Sequence, residues 1–140
     1  MRVFNLWVVV RPAEDLPDQW VAHCLELDVI SQGTSFQHAM AMVGEAAFLA
    51  VTEDLSAGRD PLLRRAPDEF WTDLYSIAAS GEQVPYASLL KGVDGDFVEA
   101  IASQMVLQVA PLAIAEGKVL PPSFTVPLTW KGHSKTDIHP

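Results

Sequence analysis

The stretch WVAHCLELDVISQGTSFQHAM, Trp20 to Met40, constrains this chain more than any other. Strand, turn, strand, glycine, helix cap and helix follow one another within it. Trp20, Ala22 and Cys24 alternate with Val21, His23 and Leu25, so a strand over Gln19–Leu25 sets the two groups on opposite faces. A short turn near Glu26-Leu27-Asp28 leads to a third strand, Leu27–Gln32. Gly33 ends it. Thr34-Ser35-Phe36-Gln37 matches the T-x-x-Q capping box, in which the Thr34 hydroxyl accepts from the Gln37 amide and Gln37 reaches back. The helix it opens is predicted to run to about Leu55, with Gly58 as its stop.

Upstream, Val3–Arg11 is rich in β-branched and aromatic residues and ends at Pro12, a strand with a stop signal. Pro12–Gln19 is a polar hairpin loop. Three strands with short links make an antiparallel meander. The helix has a buried stripe at Phe36, Met40, Val43, Ala47 and Val51, in steps of three and four. Ala39, Ala46 and Ala50 flank it and permit close approach to a sheet. Its other side is not properly polar, because Met42 and Leu49 fall together and Phe48 lies near Leu55. An apolar outer face marks a contact, so Met42, Phe48 and Leu49 are the predicted interface, covered by the C-terminal half or by another subunit.

Beyond the helix, Arg59, Arg64 and Arg65 form the only basic cluster and read as a solvated linker. Pro67-Asp68-Glu69 opens a second helix, since proline and acids suit the first turn. Phe70, Trp71, Leu74, Tyr75, Ile77 and Ala78 give its apolar face, and Gly81 ends it. Val84–Leu90 reads equally as strand or short helix, and Gly92–Asp96 is a turn. Phe97–Ala110 is ambiguous, although Met105–Val109 favours a strand. Ala113–Gly117 is a short helical or turn segment. Pro121–Trp130 alternates like a strand that Pro127 confines to an edge, and Lys131–Pro140 is a mobile polar tail.

The expected architecture is α+β in a single domain: an antiparallel sheet of three to four strands in β-β-β-α-β order, one long packing helix and a helical or irregular C-terminal extension. Residues 1–58 form the β-β-β-α core. Residues 59–110 add the helix at 67–80 and a fourth strand near 104–110, and residues 111–140 are a proline-rich extension. Hydrophobic residues make up 49% and charged residues 19% of the 140, a balance that supports a real core.

The formal charge of -9, from 9 basic and 18 acidic residues, disfavours general nucleic-acid binding and permits a basic protein partner. With one cysteine, Cys24, no intramolecular disulfide can form. No apolar stretch is long enough to span a bilayer and no secretory signal is apparent, so no membrane association and a cytoplasmic location are expected.

The chain carries no Walker sequence, H-E-x-x-H or C-x-x-C. His23, Cys24, Glu26 and Asp28 are close in sequence, but His23 and Cys24 point to opposite faces of one strand and so cannot share a metal. Cys24 sits mid-strand, where nothing stabilises a thiolate. Its pairing with His23, His38, His133 or His139 is therefore not expected. Asp68-Glu69 is explained as a helix start, and Asp94 and Asp96 as turn residues. No catalytic residue, metal site or cofactor is predicted, and the chain reads as a non-enzyme.

Trp20, Ala22, Cys24, Leu25, Glu26, Leu27, Gly33, Thr34, Ser35 and Ala39, in that order, resemble the N-terminal domain of HicB-family antitoxins. The strand Val3–Arg11 fits as well, and Arg65–Trp71 looks like the tail of some HicB-like proteins. The resemblance covers about the first 80 residues. It marks Trp20, Ala22, Cys24, Glu26, Gly33, Thr34 and Ala39 as a fold signature, and it implies a β-β-β-α-β domain related to a truncated RNase H-like or double-stranded-RNA-binding-like arrangement. Such domains commonly self-associate. In the antitoxins the domain binds a small basic toxin that degrades mRNA and masks its catalytic histidine, while a separate C-terminal ribbon-helix-helix or helix-turn-helix segment binds operator DNA. This chain has Gln37-His38 where the family often has Glu-Glu, and Leu25 where many members have Pro. Its C-terminal half lacks a basic strand-helix-helix segment, so DNA binding is not expected.

Two functions are therefore carried forward. One is a HicB-like protein-interaction module, the antitoxin of a type II pair that binds a small basic mRNA-cleaving toxin. The other is a stand-alone homo-oligomeric structural or small-ligand-binding domain on the same fold, suggested by the apolar outer face of the first helix.

Overall fold

A computed structural model of the chain describes residues 2–80, 82–84, 98–109 and 123–132. The chain runs β1 (Arg2–Pro12), β2 (Trp20–Cys24), β3 (Val29–Gly33), α1 (Phe36–Ser56), a 3₁₀ turn (Pro61–Arg64), α2 (Asp68–Ser80), β4 (Glu82–Val84), β5 (Val98–Val109) and β6 (Ser123–Gly132). One antiparallel sheet takes the order β3-β2-β1-β5-β6-β4. The α+β class, the meander and the strand after the helices match the expectation, and the fourth strand begins earlier, at Val98. The sheet then continues past the expected four strands. The region read as an irregular extension supplies β6, which takes in Lys131 and Gly132 from the expected tail. Beyond Glu82–Val84, the segments expected at Val84–Leu90, Gly92–Asp96 and Ala113–Gly117 lie outside the described residues, as does the rest of the tail.

Each face of the sheet carries one helix. Strand β1 alternates between them: Phe4, Leu6, Val8 and Val10 join the α1 core, while Val9 joins the α2 core with Trp7 beside it. A central strand covered on both faces has no polar face to present, which explains the unbroken run Leu6–Val10. Strand β5 divides in the same way. Ile101, Met105, Leu107 and Val109 face α1, and the small Ala100 and Ala102 sit under α2.

Helix α1 buries Phe36, Met40, Val43, Ala47 and Val51 as its periodicity requires. Its N-cap is one residue later than expected. Ser35, not Thr34, accepts from the His38 amide at 3.0 Å, and His38 Nδ1, not Gln37, accepts from the Thr34 amide at 3.0 Å. The reason lies in Gly33, which is still paired with Trp20 in the sheet, so Thr34 is consumed by the bend. A Cβ on Gly33 would stand 2.3 Å from the Ala39 backbone nitrogen. Only glycine lets the first turn of α1 settle directly on the end of β3.

The other end is a Schellman closure. The Gly58 amide donates to the Leu55 carbonyl at 3.1 Å and the Arg59 amide to the Asp54 carbonyl at 2.7 Å, with Gly58 at φ 73°. Strand β3 starts at Val29 instead of Leu27, because Leu25–Asp28 form the turn and Asp28 takes a left-handed φ of 50°. Pro127 is not on a free edge, since β6 lies between β5 and β4. It falls where the pairing slips, between Ala102↔Thr129 and Gln104↔Thr125. A residue without an N–H is tolerated at such a bulge.

Candidate interaction groove

Strands β1, β2 and β3 turn Val9 and Arg11, Val21 and His23, and Ile30 toward the α2 side. Helix α2 lies over β5 and β6 and docks Trp71, Leu74 and Ile77 on Val9, Leu25, Ala100 and Ala102. Among the described residues the β2–β3 end of that face is left bare. Phe70, Tyr75 and Ala78, expected on the docked face, are exposed instead, because the buried stripe is the narrower Trp71-Leu74-Ile77 row. Phe70 stands at the rim with its ring edge-on to His23, centroids 4.8 Å apart.

The result is a groove of 260 Å³ between α2 and the β3 edge. Its floor is apolar, made by Val9, Val21, Leu25 and Ile30, and Ile30 is 59% exposed. The Arg11 guanidinium donates to Asp73 and ties β1 to α2. His23 Nε2 lies 2.8 Å from Asp28 Oδ1. Drug-sized ligands take pockets of roughly 300–1,000 Å³, so this groove is better matched to one or two side chains of a larger partner.

The residues of the fold signature are structural. Trp20, Ala22, Cys24 and Ala39 are buried in the α1 core, with Trp20 edge-on to Phe36 at 6.3 Å. Burial holds the Cys24 thiol up at about 12, so it stays protonated and inert. Glu26 Oε1 accepts from the Trp7 amide at 2.7 Å and closes the end of the β1–β2 ladder. Its desolvation raises the carboxyl to about 6. Of the four residues clustered in sequence, the structure brings together His23 and Asp28, because the turn carries Asp28 back to the α2 face. Among the described residues no group of three or more His, Cys, Asp or Glu is placed to hold a metal.

The predicted interface on α1 divides. Met42 and Leu49 are exposed at 38% and 53%, but Phe48 is only 2% exposed and belongs to the core. A helix lying between a sheet and its own neighbouring turn buries a wider arc than the five-residue stripe predicts.

The arginine cluster is no solvated linker. The buried Asp54 carboxylate accepts from Arg59 Nε at 3.0 Å and from Arg64 Nη2 at 2.8 Å and Nε at 2.5 Å. These bonds, Arg64's first, hold Asp54 down at about 2. Arg65 lies over the Trp71 ring at 4.2 Å. The groove residues Arg11, Ile30, Phe70 and Asp73 and the Asp54 clamp were missed by sequence reading. The available signal for the groove was the apolar second face of β2, Val21-His23-Leu25, which a fully solvated face would not carry.

Among the described residues no helix is long and apolar enough to cross a membrane. No family model matches the chain, and no curated protein and no solved structure matches it either.

Proposed function

We propose that this chain is a protein-interaction module of HicB-like type, acting as the antitoxin of a type II pair by binding and occluding a small basic toxin. The β2–β3 strip, bare among the described residues, carries the reading: an apolar groove beside a sheet edge, on a chain of net charge -9. Contiguous exposed apolar surface with a polar rim marks partner sites, and an acidic molecule steers basic partners toward itself. The charged residues of the described core are meanwhile engaged in structure: Asp54 clamps Arg59 and Arg64, and Glu26 caps a strand ladder.

The test is co-expression with the product of any small basic reading frame adjacent to this one, followed by purification through a tag on this chain. A stoichiometric complex that abolishes the neighbour's RNA cleavage is expected. Recovery of this chain alone, with the neighbour fully active in its presence, overturns the reading. The homo-oligomeric alternative draws on Met42 and Leu49, exposed seven residues apart on one side of α1. It predicts a dimer in sedimentation that Leu49→Lys dissociates.

A further inference from the structure

We infer that the groove takes its partner by strand addition: an extended cationic segment of another protein pairs along the edge of β3 that is free among the described residues and seats an apolar side chain beside Ile30. The inference rests on the interaction-module reading and names the chemistry of the partner at that surface.

Three observations converge on it. The first is the edge. β3 ends the sheet, and Val29-Ile30-Ser31-Gln32-Gly33 contains no charge and no proline. Natural edge strands that meet no partner are blunted by lysine, proline or inward charges, and β3 has none of these. Among the described residues its backbone pairs with β2 on one side, so its other side offers N–H and C=O groups for a further strand. Such addition draws affinity from the backbone and specificity from pockets for alternate side chains.

The second is the pocket. Ile30 faces α2 because its register partner is His23, and both line the groove. An incoming strand that continues the pleat places every second side chain on that same face. One of them comes to lie next to Ile30, opposite Phe70.

The third is charge, which selects the partner. Asp28 stands at one end of β3, with its side chain 42% exposed. At the other end, Gly33 pairs with Trp20 and Trp20 with Pro12, which brings up the β1–β2 loop with exposed Glu14, Asp15 and Asp18. Arg11, which also lines the groove, is already paired with Asp73. The five residues of β3 span about 17 Å, so the matching segment carries a basic residue at each end and apolar residues alternating between them. A second copy is the wrong occupant. Antiparallel β3–β3 pairing would set each Asp28 against the other copy's acidic loop, and facing like charges disfavour that arrangement.

The probe is a capped peptide of alternating valine and threonine, about seven residues long to match β3 with one residue beyond each end, with lysine at both ends. It is titrated into the ¹⁵N-labelled full chain. Expected are shifts at the Ile30, Ser31 and Gln32 amides, with slowed solvent exchange at the alternate β3 amides that point away from β2. Binding should fall at least fivefold when the peptide's lysines become glutamates, and be lost when its alternate backbone nitrogens are methylated. These controls leave the protein untouched. Ile30→Lys, checked for an unchanged melting curve, should abolish binding too.

Equal binding of the methylated peptide, or of the glutamate peptide, overturns the inference. So do shifts confined to α2, or no binding by any of the peptides. A dimer in sedimentation that Ile30→Lys dissociates assigns the edge to a second copy and overturns it as well. If the basic neighbour is captured while the β3 amides are unmoved, the mode fails and the interaction reading stands. If the peptide binds at β3 and no neighbour is captured, the antitoxin reading fails and the strand-addition site stands.

Discussion

The two faces of one sheet are built to different standards. On the α1 side a 21-residue helix, about 31 Å long, lies over strands that precede it directly in the chain. Its core is continuous from Phe4 to Val109, and the helix end is locked by Gly58 and by Asp54 with its two arginines. On the α2 side a 13-residue helix, about 20 Å long, covers the β5–β6 end and, among the described residues, leaves β2–β3 open. That face also holds a buried Trp71 indole N–H without a hydrogen-bond partner among the described residues. One face is closed by its helix, and the other, among the described residues, is left short at β2–β3.

The contrast is sharpest at Gly33. Gly33→Ala drives a methyl into the α1 backbone at Ala39 and is expected to cost about 3 kcal/mol or more, as overpacking against an immovable neighbour does. Gly58→Ala meets open space and suffers only from its positive φ, about 1–2 kcal/mol. Chemical denaturation of both variants reads the difference. Equal losses would mean that α1 does not rest on the end of β3.

Adjacent residues of β1 compare the faces directly. Val8→Ala opens a hole in the sealed α1 core and is expected to cost about 2 kcal/mol. Val9 is buried too but borders the groove, so the space that Val9→Ala leaves can open to solvent, and the loss should be about half as large. A larger loss at Val9 would break the proposed asymmetry.

The two carboxylates respond to acid with opposite sign. Asp54 is held below its ordinary 3.8 at about 2, so its contribution is complete above pH 4 and is lost as pH falls toward 2. Thermal melts of Asp54→Asn against the parent should therefore differ most at neutral pH and converge near pH 2. Glu26 is raised from 4.5 to about 6, so its favourable state exists below pH 4.5 and is lost as pH rises through 6. Glu26→Gln keeps an acceptor for the Trp7 amide and removes the buried charge. Its melting temperature should exceed that of the parent by a few degrees at pH 8 and equal it at pH 4. An Asp54→Asn curve parallel to the parent's, or a Glu26→Gln gain independent of pH, would contradict these assignments.

The legible part of the molecule was local. The alternation of Trp20–Leu25, the stop at Pro12, the stripe of α1 and the Gly58 end all follow from spacing. Each involves residues within a turn or two of one another, where φ, ψ preferences and periodicity dominate. Small slips came where one residue served two elements: Gly33 stayed in the sheet, so the cap moved from Thr34 to Ser35. Phe48 and Phe70 were misassigned for a related reason. Periodicity places a side chain on a helix but does not say how wide an arc the neighbours will bury.

What the sequence determined by itself is the β-β-β-α unit and the faces of its strands, because period-two alternation and capping chemistry act over a few residues. What only the tertiary structure decided is everything that joins distant positions. The pairing of β1 with β5, the shelter of Pro127 at a slip between β5 and β6, the convergence of Asp54 with Arg59 and Arg64, and the groove between Ile30 and Phe70 belong here. These depend on which surfaces remain uncovered after the elements pack. That is a property of helix length and placement, and no local pattern of residues encodes it.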